Sequence, residues 1–356
     1  MLGWVLKPLA VASTVVISTL GLLSRKYQRA RLYYHLGLYL STLGAASAWG
    51  VLITIVATLT GKRFNINYYV ARSFYTVCSP LIGIKVDVEG EEHLSGLVRA
   101  RGGKGQSAVL VGNHQSLLDV LYLGRILPKR ASIMAKKELK WTPLLGQFMA
   151  LSGAVFVDRK NRTAAVDALE KAGEEMKRKG VSLWVFPEGT RSSTPDPILL
   201  PFKKGAFHLA VKAQVPIIPV VTENYHRLFD GKTRMEEGSL KIRVLPPVST
   251  QGLTADDVTA LTESTRESML VALREISQPG PDGDKTAKVR AIEARSSTPE
   301  ETEPARVEPE SRQASVEPVG SEGGKSRSSE DGTEDEMDED AVLLKRPREP
   351  KAESDP

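Results

Sequence analysis

The sequence predicts an α/β domain, a central mixed sheet flanked by helices, preceded by an N-terminal pair of membrane helices. Three observations carry this. Short apolar runs near residues 85, 107, 131, 153, 181, 216 and 240 alternate with stretches whose apolar residues recur at helical intervals. In front of them, Trp4 to Leu23 is almost wholly apolar, with Lys7 its one charge, and Leu36 to Thr60 carries no charge, each near the roughly 20 residues that cross a hydrocarbon core. Beyond Gln278 the composition turns to Pro, Ser, Glu, Asp and Gly, too poor in apolar residues to bury a core. The expected divisions are a membrane-anchoring helical hairpin over 1–64, the α/β domain over 65–277 and a disordered acidic tail over 278–356.

Charge is uneven along the 356 residues. Pro281 to Pro356 holds 21 acidic and 12 basic side chains, a net of −9, so the +5 of the whole chain leaves +14 on residues 1–280. A body that basic calls for an anionic partner: nucleic acid, an anionic bilayer or a phosphorylated substrate. The single cysteine, Cys78, and the scattered histidines 35, 93, 114, 208 and 226 exclude an intramolecular disulfide and argue against a structural zinc site. No Gly-x-Ser-x-Gly elbow occurs, and Gly102 to Ser107 lacks the Walker spacing and precedes its strand, so it reads as a loop.

The first apolar segment is too long for an ordinary signal-peptide core and is followed closely by another, which favours two membrane helices. The loop Ser24 to His35 between them, with four basic residues and three tyrosines, has interfacial composition. Counting its cations puts that loop in the cytosol and the domain in the lumen. Lys62, Arg63 and Arg72 weaken the count, and a re-entrant or interface-lying hairpin removes it.

Tyr68 to Ile84 leads into the domain, and Lys85 to Glu89 alternates polar and apolar as a half-exposed strand stopped by Gly90. Strands are expected at 107–111 and 131–135, the second followed by Lys136-Lys137-Glu138-Leu139 and an apolar helix through Leu151. The short strand 153–157 ends in the cationic cluster Asp158-Arg159-Lys160-Asn161-Arg162. Thr163 to Lys179 is the best-signalled helix, with Ala165, Leu169, Ala172 and Met176 as its stripe, cations in its last turn and Gly180 as its stop. Val181 to Phe186 is a buried strand. Leu200 to Phe207 opens a helix with Lys203 and Lys204 at its start, where cations oppose the helix dipole and so do not serve helix stability. Val215 to Val221 is a strand interrupted by Pro216 and Pro219, hence expected at an edge or irregular, with an apolar wall for a ligand as the functional alternative. A strand over 240–245 and a helix over 255–276 close the domain. In the tail, Lys345 to Arg348 resembles a nuclear import signal out of place behind membrane helices, and Ser328 and Ser329 precede acids as phosphorylation sites would.

Asn113-His114-Gln115-Ser116-Leu117-Leu118-Asp119 stands between an apolar strand and an apolar helix. On one continuous helix, five positions separate two side chains by roughly 140°. His114 and Asp119 meet only if the helix starts after the histidine, with Ser116 as N-cap and Asp119 at N3 in a capping box. Taken alone, the stretch reads better as a capped helix with an ordinary turn histidine. Phe186-Pro187-Glu188-Gly189-Thr190-Arg191-Ser192 combines close backbone approach, hydroxyls and a guanidinium, which suits a phosphomonoester; by itself it is also a tight turn with a capping glutamate.

Together these blocks resemble the glycerolipid acyltransferase family, specifically the lysophosphatidic acid acyltransferases, with a long acidic tail of fungal type. Four blocks stand in family order: NHQSLLD at 113–119, GAVFVDR at 153–159, FPEGTRS at 186–192 and VPIIPV at 215–220, supported by AKKEL at 135–139 and PFKKGAF at 201–207. The resemblance implies that His114 is the general base on the sn-2 hydroxyl and Asp119 its orienting partner. It implies that Arg159, Glu188, Gly189, Thr190, Arg191 and Lys203 bind or orient the glycerol phosphate and that Pro219 belongs to the acyl-donor block. Acyl-CoA enters as co-substrate, with no cofactor and no metal, and no residue is acylated. The implied partners are lysophosphatidic acid, acyl-CoA and the membrane lipid bilayer, with no nucleic acid. The implied location is the endoplasmic reticulum membrane or a lipid droplet, with the site facing the cytosol or the interface. Three rivals remain: an acyltransferase for another lysophospholipid such as lysocardiolipin, a non-catalytic scaffold that binds anionic lipid, and a nucleic-acid binder, which net charge alone supports and no recognition motif does.

Overall fold

The computed structural model describes residues 2–95, 107–158 and 162–277. The glycine-rich loop at 102–106, the cations Arg159 and Lys160, and the tail from Gln278 lie outside the described residues.

Both N-terminal apolar segments are helical, α1 over Leu2–Ser24 and α2 over Gln28–Leu59. The expected loop of residues 24–35 is shorter than the sequence suggested, because Gln28 to Leu36 contains no glycine or proline and is rich in good helix formers. Its later cations therefore ride on the first turns of α2. By length and composition α2 is a helix able to cross a membrane, whereas the apolar stretch Thr14–Ser24 of α1 is shorter. One side of α2 is buried along most of its length, from Leu32, His35 and Tyr39 to Gly50, Thr54 and Ala57. The other side exposes Leu40, Trp49, Leu52, Ile55, Val56 and Leu59.

The remaining helices are α3 (Ile66–Ile82), α4 (Glu92–Ser95), α5 (Asp119–Ile126), α6 (Leu145–Leu151), α7 (Arg162–Lys179), α8 (Gly205–Ala213) and α9 (Val258–Ile276). Seven strands appear where the apolar runs predicted them: β1 (Ile84–Glu89), β2 (Val109–Gly112), β3 (Ala131–Lys136), β4 (Val155–Val157), β5 (Ser182–Val185), β6 (Ile217–Thr222) and β7 (Gly238–Val244). They form one sheet in the order β1-β7-β6-β2-β5-β3-β4. All neighbours are parallel except β6 and β7, so the sheet is mixed, as expected. Leu110, Trp184, Ile218 and Leu240 face a core shared with α2, α3 and α5. Val109, Val111, Leu183, Ile217 and Val221 face the opposite core, shared with α7, α8 and α9. The result is helix, sheet, helix, with β2 near the middle.

Two expectations are corrected. Strand β6 is not an edge: it lies between β2 and β7 and all its residues are buried. Pro219 is tolerated there because its carbonyl accepts from Leu245 N at 2.9 Å, just past the last residue of β7. The missing proline N–H thus falls where that ladder has already ended. Helix α5 begins at Asp119, not after Ser116; residues 116–118 form a turn in which Ser116 Oγ accepts from Leu118 N at 3.0 Å. That bond closes the turn locally and leaves Asp119 at the very start of the helix. A 3-10 turn, Lys137–Trp141, also intervenes between β3 and α6.

Candidate active site

The carboxyl ends of β5, β2 and β6, three neighbouring strands, deliver the polar residues of the site. The chain leaves β5 on one side of β2 and returns as β6 on the other, and such a change of direction opens a crevice at the strand ends in α/β sheets. His114 follows β2, Phe186 to Arg191 follow β5, and Thr222 to Tyr225 complete and follow β6.

Hydrogen bonds to backbone groups hold these turns together. Ser192 N donates to His114 O at 2.9 Å, and Ser193 Oγ donates to Gln115 O at 2.8 Å. Asn113 exchanges two bonds with Thr222, Nδ2 to the carbonyl at 2.9 Å and Thr222 N to Oδ1 at 2.8 Å. Gln115 Nε2 donates to Glu223 O at 2.8 Å. These buried amides replace the ladder that would otherwise join β2 to β6 beyond Gly112. Gly112 is required for close packing: a Cβ there would stand 2.6 Å from Trp184 Cζ2.

His114 Nδ1 lies 2.6 Å from Asp119 Oδ2, which also accepts from Gln115 N at 2.9 Å and Ser116 N at 3.2 Å. An acceptor in that position makes the imidazole the donor, which fixes the proton on Nδ1 and leaves a lone pair on Nε2. The ring is further held by stacking on Phe186, with centroids 4.1 Å apart and planes inclined by 17°. Asp119 Oδ1 accepts from Tyr225 Oη, whose own oxygen lies 2.8 Å from Ser116 Oγ. Burial, then the charge of Asp119, pushes the Tyr225 phenol well above its usual range, so it stays protonated and can donate. The aspartate is 1 % exposed and every donor around it is aimed at its charge. The arrangement can take up a proton at Nε2 and stabilise the imidazolium that forms.

Glu188 sits beneath this pair, buried, with Oε1 accepting from His114 N at 2.8 Å and Oε2 from Leu200 N at 3.0 Å. Burial raises its pKa to about 7, against the two backbone donors. Both oxygens thus brace the loop against the histidine. Gly189 has φ +68, and the stem of Lys203 lies against it, 3.0 Å from where a Cβ would be. Lys203 N donates to Pro187 O at 2.8 Å, so PFKKGAF folds back onto FPEGTRS. Thr190, Arg191 and Lys203 are exposed at the rim. Pro219 is level with Val111 in the sheet and by strand alternation shares the face of Ile217 and Val221, away from the histidine. Arg159 lies outside the described residues.

Sequence reasoning missed Tyr225. The available signal was the polar run Thr-Glu-Asn-Tyr directly after a wholly buried strand, at the strand end where the other motifs converge.

The α/β sheet brings the His114–Asp119 pair and the arginine-bearing loop to neighbouring strand ends, and these are the blocks on which the resemblance to acyltransferases rests. Comparisons with known proteins agree. The acyltransferase family pattern matches residues 85–223. The chain is 41% identical over 266 residues, 74% of this chain and 85% of the relative, to the 1-acyl-sn-glycerol-3-phosphate acyltransferase of Saccharomyces cerevisiae. It is 39% identical over 70% of its length to the alpha form of that enzyme from Mus musculus, covering 86% of the relative. The crystal structure of the lysophosphatidic acid acyltransferase PlsC from Thermotoga maritima superimposes with a TM-score of 0.54 at 27% identity, covering 69% of this chain and 97% of that one. The chain belongs to the acyltransferase family, among relatives that bear the 1-acyl-sn-glycerol-3-phosphate acyltransferase name.

Proposed function

We propose that the protein transfers an acyl group from acyl-CoA to the sn-2 hydroxyl of lysophosphatidic acid, giving phosphatidic acid. The observation that carries this reading is the His114–Asp119 pair, with Nε2 free of any partner among the described residues. In the reaction Nε2 removes the hydroxyl proton as the oxygen attacks the thioester carbonyl. A C–O bond forms, the C–S bond breaks, and the imidazolium returns the proton to the departing thiolate. Asp119 keeps Nδ1 protonated and stabilises the cation between the two steps. No acyl-enzyme forms and no resident cofactor is needed.

Arg191, Lys203 and Arg159 meet the phosphate, with the Gly189–Thr190 backbone and hydroxyl beside them. Arg191 suits this task because it is exposed and makes no hydrogen bond or ion pair among the described residues. A guanidinium grips a phosphate through two N–H donors. Glu188 orients the loop that carries it, and Pro219 backs the strand whose end receives the acyl donor. The relatives' names support this acceptor, as does the basic body. Helices α1 and α2 keep the enzyme in the plane of a substrate whose acyl chain partitions into lipid, in the endoplasmic reticulum membrane or on a lipid droplet. The site faces the cytosol, where acyl-CoA is supplied.

The test is a panel of lysophospholipids with oleoyl-CoA, run on the parent and on His114→Ala. Lysophosphatidate is expected to be the best acceptor, and the variant to lose roughly three orders of magnitude or more in turnover. Equal or faster acylation of lysophosphatidylcholine would overturn the acceptor. Near-parental turnover in His114→Ala would overturn the mechanism.

A further inference from the structure

The stretch between β3 and β4 exposes more apolar surface than its place in the fold accounts for. The turn Lys137–Trp141 leaves the carboxyl end of β3, and α6 follows. Leu139, Trp141, Leu144 and Leu151 all face outward, Trp141 at 78 % exposure. They stand among Lys136, Lys137 and Lys140. Lys136 pairs with Glu138 at 3.4 Å and Lys137 with Asp158 at 3.1 Å. Lys140 lies over the Trp141 ring, 5.9 Å from its centroid. Four large apolar side chains standing in water over so short a segment are unfavourable unless something covers them.

What covers them is indicated by what α6 rests on. Its Phe148 ring fills the space left by Gly50 of α2, where a Cβ would lie 2.5 Å from Phe148 Cδ2. Trp49 and Leu52, which flank Gly50, belong to the exposed apolar side of α2. The segment therefore borders the surface that α2 offers to lipid. Its chemistry is that of a bilayer interface, where a tryptophan ring settles at headgroup depth and lysines lay apolar stems inward while their ammonium groups reach phosphate.

We propose that residues 137–151 are a second membrane-contacting element, with Trp141 seated among the headgroups of a phospholipid bilayer. The turn leaves the same edge of the sheet as His114, since β3, β5 and β2 are parallel neighbours. Lipid held there is at the rim of the site, so the contact presents acceptor molecules to the cationic loop. This inference rests on the membrane reading of α1 and α2.

The experiment attaches an environment-sensitive nitrobenzoxadiazole probe to Trp141→Cys, Leu52→Cys or Gln251→Cys in the full chain. Each is reconstituted into phosphatidylcholine vesicles with nitroxide-labelled lipids of shallow or deep position. The native Cys78 is fully buried and so shielded from the label. The expected result is a blue-shifted probe at 141, quenched more by the shallow nitroxide than by the deep one. Quenching is expected at 52 and a water-like, unquenched probe at 251. A water-like probe at 141 with a quenched probe at 52 overturns the second contact and leaves the membrane reading standing. Water-like probes at both positions overturn the membrane reading and this inference with it.

Discussion

Replacing Asp119 by asparagine separates the charge of this residue from its role as a brace. The carbonyl oxygen of asparagine can take the place of Oδ2, facing His114 Nδ1 and the amides of Gln115 and Ser116. Its NH2 then faces Tyr225 Oη, and the phenol turns its proton to Ser116 Oγ, 2.8 Å away. Every buried polar group keeps a partner, so Asp119→Asn is expected to fold and to melt close to the parent. What disappears is the attraction between carboxylate and imidazolium. For unit charges about 4 Å apart at an effective dielectric near 20 that is ~4 kcal/mol, or roughly a thousandfold in rate. The measurement is single-turnover CoA release with lysophosphatidate and oleoyl-CoA, beside a thermal melt in the same micelles. A folded variant within tenfold of the parental single-turnover rate would refute the argument, since the carboxylate charge would then contribute little to the transition state.

Three other outcomes are expected. Tyr225→Phe leaves Asp119 Oδ1 without its buried donor and is expected to cost ~1.5–3 kcal/mol in stability, read by chemical denaturation, with His114 still in place. Glu188 makes stability fall as pH rises: its folded pKa of about 7 lies above the ordinary 4.5, so the folded state holds the proton more tightly between those values. The penalty is absent below about 4.5 and complete above about 7, ~3 kcal/mol in all, and that slope is expected to vanish from denaturation curves of Glu188→Gln. Gly112→Ala forces a methyl to within 2.6 Å of Trp184 Cζ2 in a filled core, and a loss of ~1–3 kcal/mol is expected in the thermal melt.

The strands and most helices were legible because each apolar run is short and each helix carries its own stripe and stop. Gly180, for instance, ends α7 at φ +62 as its position implied. The place of β6 was not legible. Two prolines argue for an edge by local rules, and only the end of β7 at Val244 shows why an interior strand can bear Pro219. The His114–Asp119 contact was readable from spacing together with a helix that starts late. Its support was not: Tyr225 lies 106 positions from Asp119, and nothing local in the sequence brings the two together. Glu188 was legible as part of a motif, but its two backbone bonds, to His114 and Leu200, depend on the packing of one loop on another.

Helix α2, long and apolar enough to cross a membrane, is also bonded into the α/β domain. Tyr39 Oη donates to Leu117 O at 2.8 Å within the turn between His114 and Asp119 and stacks edge-on against Phe74. Arg31 pairs with Glu236, and His35 Nδ1 lies 3.1 Å from Met235 O. A chain beginning at residue 65 would lose one wall of the core around Phe74, Cys78 and Ile82, and would leave the carbonyl of Leu117 without its donor. Helix α2 is therefore part of the housing of the His114–Asp119 turn. Cutting away α1 and α2 strips the housing of the His114–Asp119 turn, and the truncated enzyme is expected to lose its activity.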